Sequence, residues 1–367
     1  MMARGYNFGA GPSMLPESIL KEAQTELLDW QHLGMSVIEI GHRTPAFAEL
    51  MNEAEASLRE LLDIPSDYHV LFLSGAARTQ FAMVPLNFLS EGEEAGYLIT
   101  GLWSKLAYEE ANKLKKAYCV TNGENNGFTK IPAFAEWQIK TSTKYFYYTP
   151  NETVNGIRFA ALPAVSGATI IADMTSCLLS EPVSIRDYGL IFAGAQKNIA
   201  NAGLTLAIIS EELLGIISNT KIPTMLDYRT FSSTNSTYAT LPTFNCYLAN
   251  KMFNWVKKKG GVQALYTLNC QKAGLIYDCI DNSDFYHCKI AKEARSLVNI
   301  CFTLNDPSLE EAFLEGAKAR GLLSLKGHRT VGGLRASMYN AMPLEGVERL
   351  VEFMNDFAKN QNLIINK

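Results

Sequence analysis

The chain has 367 residues, a formal net charge of −4, 47% hydrophobic residues and 19% charged ones. That much apolar material with so little net charge excludes a disordered chain, and the slightly acidic balance argues against a nucleic-acid partner. At ~150 residues per domain the length predicts two domains. The least charged stretch, 190–210, is broken by Gly194, Gln196, Lys197, Asn198, Asn201 and Gly203, so no membrane span is expected.

Residues 16–33 predict an amphipathic helix, with Ile19, Ala23, Leu27 and Trp30 on one stripe and Pro16 in the first turn. A second helix is predicted over 47–62, stopped before Pro65. Val70 to Leu73 form a short apolar run, followed by the small-residue turn Ser74-Gly75-Ala76-Ala77 and a helix from Arg78. Further runs at 97–100, 145–149, 168–172, 190–193 and 204–209 alternate with helical patterns such as 103–116. They lack period-two alternation, which predicts strands covered on both faces and a parallel β/α architecture. Long helices are predicted over 244–259 and 262–280, parted by Gly260-Gly261. The order then becomes strand 296–304, helix 307–320, strand 334–339 and helix 343–359, which predicts a small α+β domain beginning near 265–285.

Residues 1–14 hold no apolar segment of the secretory type, so a cytoplasmic location is expected. The seven cysteines, at 119, 177, 246, 270, 279, 288 and 301, are odd in number and form no C-x-x-C pair. They read as reduced thiols. The five histidines have no metal-binding spacing, and no metal is expected.

Several residues could carry chemistry. Lys197 is the only charged residue between 190 and 210 and follows a buried-strand pattern. Desolvation would lower its pKa and make its amine a nucleophile. A lysine that snorkels to solvent at a strand end would give the same pattern. Asp173 ends the run 168–172, where a carboxylate faces the ligand crevice of an α/β sheet; a turn or helix-cap aspartate is the plainer reading. The turn at 74–79 leaves helix N-terminal N–H groups free for a phosphate, although small-residue turns are common. Gly41-His42-Arg43-Thr44 recurs as Gly327-His328-Arg329-Thr330, with Arg335 close behind. Facing one site, the two segments would hold a dianion; apart, they are ordinary surface loops. Trp103 could stack on a flat ring or simply fill a core, and Thr153 could offer its hydroxyl to a ligand or lie in a polar turn.

The segments Tyr6-Asn7-Phe8-Gly9-Ala10-Gly11-Pro12, Tyr148-Thr149-Pro150-Asn151-Glu152-Thr153, Ala172-Asp173-Met174-Thr175-Ser176, Ala195-Gln196-Lys197-Asn198 and Gly327-His328-Arg329 carry a resemblance over essentially the whole chain. The sequence resembles the phosphoserine aminotransferase family, class-V enzymes of fold type I that depend on pyridoxal 5′-phosphate. The resemblance implies a large α/β domain with a mostly parallel seven-stranded sheet over 16–265. A small α+β domain over 1–15 and 266–367 would complete the fold. It implies Lys197 as the Schiff-base lysine and Asp173 as partner of the pyridine nitrogen. Trp103 would stack on the ring, Thr153 would meet the phenolic oxygen, and Ala77, Arg78 and Gln196 would line the phosphate site. Thr240 would reach that phosphate from a second subunit of a homodimer. Arg335 would grip the substrate carboxylate, and His42, Arg43, His328 and Arg329 would receive its phosphate or the glutamate side chain. The implied reaction moves an amino group from L-glutamate to 3-phosphooxypyruvate in serine biosynthesis, with 4-phosphooxy-L-threonine, of vitamin B6 biosynthesis, as a further product.

Ala76 and Ala77 replace a more glycine-rich turn of the family pattern, Ala10 a usual serine, and Ala239 a usual asparagine. Three other readings stand beside this one. They are another fold-type I enzyme, a cofactor-free Schiff-base aldolase, and a non-catalytic protein that only binds the cofactor.

Overall fold

The computed structural model describes residues 4–165 and 167–365. Strand β1 (Tyr6–Asn7) leads into helix α1 (Glu17–Glu26). This helix stops well short of the predicted residue 33. Gln31 and His32 take positive φ of 53° and 60°, and Asp29 Oδ1 accepts from Gly34 N at 2.8 Å. The turn leaves Leu28 86% exposed and instead drives Trp30 into the core against Tyr247. Helix α2 (Pro45–Leu62) starts where Thr44 accepts from Phe47 N, with proline in the first turn, and buries Phe47, Leu50, Ala54 and Leu58.

Strands and helices then alternate: β2 (Tyr68–Ser74), α3 (Thr79–Phe88), β3 (Glu94–Ile99), α4 (Leu102–Leu114), β4 (Lys116–Asn122) and β5 (Thr143–Tyr148). A small hairpin, β6 (Asn151–Glu152) with β7 (Ile157–Arg158), precedes β8 (Thr169–Asp173), β9 (Leu190–Gly194) and β10 (Leu204–Ser210). The short helices α5 (Glu211–Gly215) and α6 (Tyr228–Ser233) lead to the long α7 (Thr243–Lys258) and α8 (Gly261–Asp281). The remainder is β11 (Tyr286–His287), β12 (Asn299–Leu304), α9 (Glu310–Ala319), β13 (Leu322–Leu323), β14 (Leu334–Ser337) and α10 (Leu344–Ile365).

Seven strands form one sheet in the order β2-β10-β9-β8-β5-β3-β4. All run parallel except β10, which is antiparallel to both β2 and β9. The sheet is the mostly parallel, seven-stranded one that was expected, with β10 as its one antiparallel member. A parallel crossover needs a dozen or more residues, and only 195–203 join β9 to β10, so the chain must double back. One face of the sheet packs on α2 and α7 through residues such as Phe146, Ile191, Leu206 and Phe253. The other face is filled by Tyr97, Tyr145, Phe192 and Phe81. Cover on both faces explains the continuous apolar runs.

A third cluster gathers Phe8, Ile300, Phe302, Phe313, Leu350 and Phe353 around β11-β12-β14, α9 and α10. Helix α8 belongs to two clusters: Val262 and Leu265 sit in the first, Ala273, Ile276 and Ile280 in the third. The domain boundary expected at 265/266 falls inside this helix. On the same helix the buried Lys272 Nζ donates to the carbonyls of Tyr339 and Met342, each at 3.1 Å. Asn340 N donates to Asn198 Oδ1 at 3.1 Å, which ties the exit of β14 to the residue after Lys197. No helix among the described residues is long and apolar enough to cross a membrane. All seven cysteines are free.

Candidate active site

Because β5, β8 and β9 run parallel, the residues that follow them converge on one edge of the sheet. Beyond β5 lie Thr149, Asn151 and Thr153, β8 ends in Asp173, and Gln196 and Lys197 follow β9. Together with Ala76, Ala77, Arg78 and Trp103 they line an open cavity of about 560 Å³.

Lys197 is 8% exposed. Its Nζ donates to Thr153 Oγ1 and lies 5.9 Å from the centre of the Trp103 ring. Burial pushes the amine down to about 8, against the upward pull of Asp173, while Arg335 lowers it further. Asp173 is buried, and burial pushes its carboxyl up. Thr175 opposes that shift: its N–H, at 3.0 Å, and its Oγ1 both donate to Asp173 Oδ1. Thr175 Oγ1 in turn accepts from Gly194 N at 3.1 Å, so the carboxylate is pinned to the end of β9.

The turn before α3 forms the far end of the cavity. Gly75 takes a φ of +111°, which only glycine adopts easily. The first N–H groups of α3, on Thr79, Gln80 and Phe81, donate to the carbonyls of Ala76, Ala77 and Arg78, so what the turn presents to the cavity is Ala76, Ala77 and Arg78 themselves. Gln196 folds over Gly194 beside Ala77: a Cβ on Gly194 would lie 2.5 Å from Gln196 Oε1 and 3.1 Å from Ala77 Cβ. Arg78 is exposed, with Cζ 5.0 Å from the Trp103 ring centre. Trp103 stands in the first turn of α4 and forms one wall. At the other side, Arg335 on β14 sends Nη1 to the Thr153 carbonyl at 3.3 Å. His328 Nδ1 lies 2.8 Å from Thr330 Oγ1; burial, Arg335 and Arg329 together lower its pKa, and Arg329 is exposed.

Within one chain, several candidates lie outside the Lys197 cavity: His328 lines a separate hollow with Val154, Asn155 and Cys301. His42 and Thr240 line a separate open hollow with Ile38 and Pro242. Arg43 Nη2 donates to the Tyr238 carbonyl at 3.3 Å, and His42 Nε2 is buried without a partner. The two Gly-His-Arg-Thr segments therefore do not share a hollow in the single chain.

Two functional-looking residues escaped the motif reading. Glu152 is fully buried and accepts three hydrogen bonds from the first turn of α4. Thr175 supports Asp173. No local pattern marks Glu152, because its partners lie about fifty residues earlier in the chain.

Pyridoxal 5′-phosphate has an aldehyde, a basic ring nitrogen, a phenolic oxygen and a phosphate. A buried amine of lowered pKa, a buried carboxylate without a lysine or arginine in contact, and the turn Ala76-Ala77-Arg78 beside Gln196 suit the first, second and fourth. Trp103 Nε1 and Thr149 Oγ1 are buried at the cavity without protein partners, so the pocket is not satisfied by the chain alone. The donor set fits the group.

The fold and this constellation define a pyridoxal phosphate-dependent aminotransferase, and the family model "Aminotransferase class-V" matches residues 5–350. Within that class the chain belongs to the phosphoserine aminotransferases. It is 60% identical over 359 residues to the phosphoserine aminotransferase of Legionella pneumophila (strain Philadelphia 1), covering 98% of this chain and 99% of the relative. It is 49% identical to that of Hahella chejuensis, again over 98% and 99% of the two chains. Among solved structures it is similar to phosphoserine aminotransferase from Bacillus circulans subsp. alkalophilus, with a TM-score of 0.95, 42% identity and coverage of 98% and 99%. The enzyme from Trichomonas vaginalis with pyridoxal phosphate bound gives a TM-score of 0.92 at 39% identity, covering 96% and 100%.

Proposed function

We propose that the protein transfers the amino group of L-glutamate to 3-phosphooxypyruvate, giving O-phospho-L-serine and 2-oxoglutarate, reversibly, as a step of serine biosynthesis. The observation that carries the reading is one desolvated amine, Lys197, set between a buried carboxylate and an aromatic wall.

When bound, pyridoxal 5′-phosphate supplies an aldehyde for an amine and a ring that takes up the electron pair left when a Cα proton departs. Asp173 would hold the ring nitrogen, Thr153 the phenolic oxygen and Trp103 the ring face. Ala77, Arg78 and Gln196 would hold the phosphate. With its pKa near 8, Lys197 Nζ both gives and accepts a proton near neutral pH, which suits it to carry the substrate Cα proton. Thr153 Oγ1, in hydrogen-bond contact with Nζ, orients the amine toward the cavity. The Arg335 guanidinium, fixed at the rim, offers a fork for the substrate carboxylate. The same clamp takes 4-phosphooxy-L-threonine, which presents the same phosphate and amino-acid ends.

The phosphate end of the substrate needs further cations. We assign His42, Arg43 and Thr240 to the site of a second subunit, and His328 and Arg329 to the same substrate group. Support comes from the exposed apolar side chains Leu28, Leu33, Met35 and Ile38 close in sequence to His42, which suit an interface between two copies in the cytoplasm. The absorption spectrum of the purified protein tests the reading. A visible band that collapses on adding O-phospho-L-serine, and a borohydride-fixed label on Lys197, are expected. A band unmoved by phosphoserine and L-glutamate would leave only a cofactor-binding protein.

A further inference from the structure

Glu152 is a buried carboxylate that the transfer chemistry does not use. Burial, with the nearby Asp173 carboxylate, pushes its carboxyl up, and an isolated charge in such a place is costly. What compensates it comes from one turn of one helix. Trp103 N donates to Oε2 at 3.0 Å, while Ser104 N at 2.8 Å and Ser104 Oγ at 2.6 Å both reach Oε1. These are N-terminal groups of α4, which lack intrahelical acceptors and sit at the positive end of the helix dipole. Residue 101 is glycine for the same reason. A Cβ there would stand 2.4 Å from Glu152 Cδ and 2.7 Å from Oε2, so any side chain would evict the carboxylate. Ser104 Oγ completes the knot by accepting from Thr100 N at 3.0 Å and Gly101 N at 3.1 Å.

The two segments tied here form opposing walls of the cavity. Trp103, whose own N–H is held by Glu152, presents the aromatic wall. Thr153, the next residue after Glu152, meets Lys197 Nζ. The Glu152 side chain, in the 151–153 segment, is bonded to the first turn of α4 through three donors. Both carboxylate oxygens accept, so glutamine is not an equivalent: its amide nitrogen would face N–H groups. We propose that Glu152 is a positioning residue for the amino transfer, fixing the gap between the Trp103 ring and the Thr153–Lys197 pair and adding a buried negative charge beside the amine. This inference rests on the proposed function, because the gap matters only if a flat cofactor occupies it. The charge acts in a known direction: Glu152 pulls the Lys197 amine upward.

The test uses holoenzyme carrying Glu152→Gln, read without substrate as well as in turnover. The pH midpoint at which the bound cofactor's visible band changes should fall by about half a pH unit or more, because an anion near the amine is gone. The induced circular dichroism of that band should change as the ring re-seats. The kcat should fall about 10-fold to 100-fold with KM for L-glutamate within about threefold, since Arg335 is untouched. Ser104→Ala, which removes a single donor, serves if the glutamine variant fails to fold; it should alter the dichroism and lower kcat by about 2-fold to 5-fold. A midpoint and dichroism identical to wild type in a folded variant, with only a lower melting temperature, would reduce Glu152 to a structural cap and overturn the proposal. Wild-type protein with a normal cofactor band but no response to phosphoserine would instead refute the function, leaving the substrate-free readouts on Glu152 intact.

Discussion

Lys197→Met in the cofactor-free protein isolates the energetic cost of the buried amine. An ordinary lysine titrates at 10.5 and Lys197 at about 8. The gap is worth about 3.4 kcal/mol at about 1.36 kcal/mol per pH unit. Its sign follows from proton counting. Between pH 8 and 10.5 the unfolded chain binds a proton at this residue that the folded chain does not, so stability rises with pH across that window. Below about pH 8 both states are protonated and the folded state carries the full cost. Linkage gives a cost of about 3.3 kcal/mol at pH 7 and about 2 kcal/mol at pH 9. Methionine has a similar volume and no charge, so it removes this dependence. Urea unfolding of both proteins at pH 7 and pH 9, at one protomer concentration, gives the double difference. The stability advantage of Lys197→Met should be larger at pH 7 than at pH 9 by about 1.3 kcal/mol. A difference that does not change with pH would show that the amine is not desolvated, and the basis for its nucleophilicity would go with it.

Asp173→Asn should loosen cofactor retention on gel filtration and lower kcat about 10³-fold, because a neutral amide cannot balance a ring cation; retained turnover would exclude the pairing. Arg335→Lys should raise KM for L-glutamate and phosphoserine about 10-fold or more while leaving the cofactor spectrum unchanged, since a point charge replaces a fork. Equal loss in spectrum and KM would place Arg335 in the cofactor site instead. If two subunits share each site, mixing unfolded and co-refolded Lys197→Ala and His42→Ala proteins should recover about a quarter of wild-type activity, from heterodimers with one intact site. No recovery would confine the site to one chain.

The apolar runs at 70–73, 145–149, 168–172 and 190–193 announced central strands because both faces are covered, and Asp173 and Lys197 stood out as charges at the ends of such runs. Strand direction was harder to read. Leu204–Ser210 is buried on both faces like its neighbours, and only the shortness of 195–203 betrays that it returns antiparallel. Strand β4 hid behind α4: its apolar run, Ala117-Tyr118-Cys119-Val120, follows the helix after Lys115 and Lys116 alone and lies at a half-exposed sheet edge. The N-terminal helix was overextended because Leu27 and Trp30 kept the helical stripe, whereas the chain breaks at 27–29 and reaches the core through a turn. Glu152 stayed hidden because its partners are backbone groups about fifty residues earlier, which no local pattern records.

Helix α8 contributes residues to both large core clusters and, through Lys272, grips the loop beyond β14. A single unbroken rod threaded through both halves makes them share stiffness, so neither can swing without flexing the rod between Leu268 and Ala273. Large rocking of the C-terminal half is therefore costly.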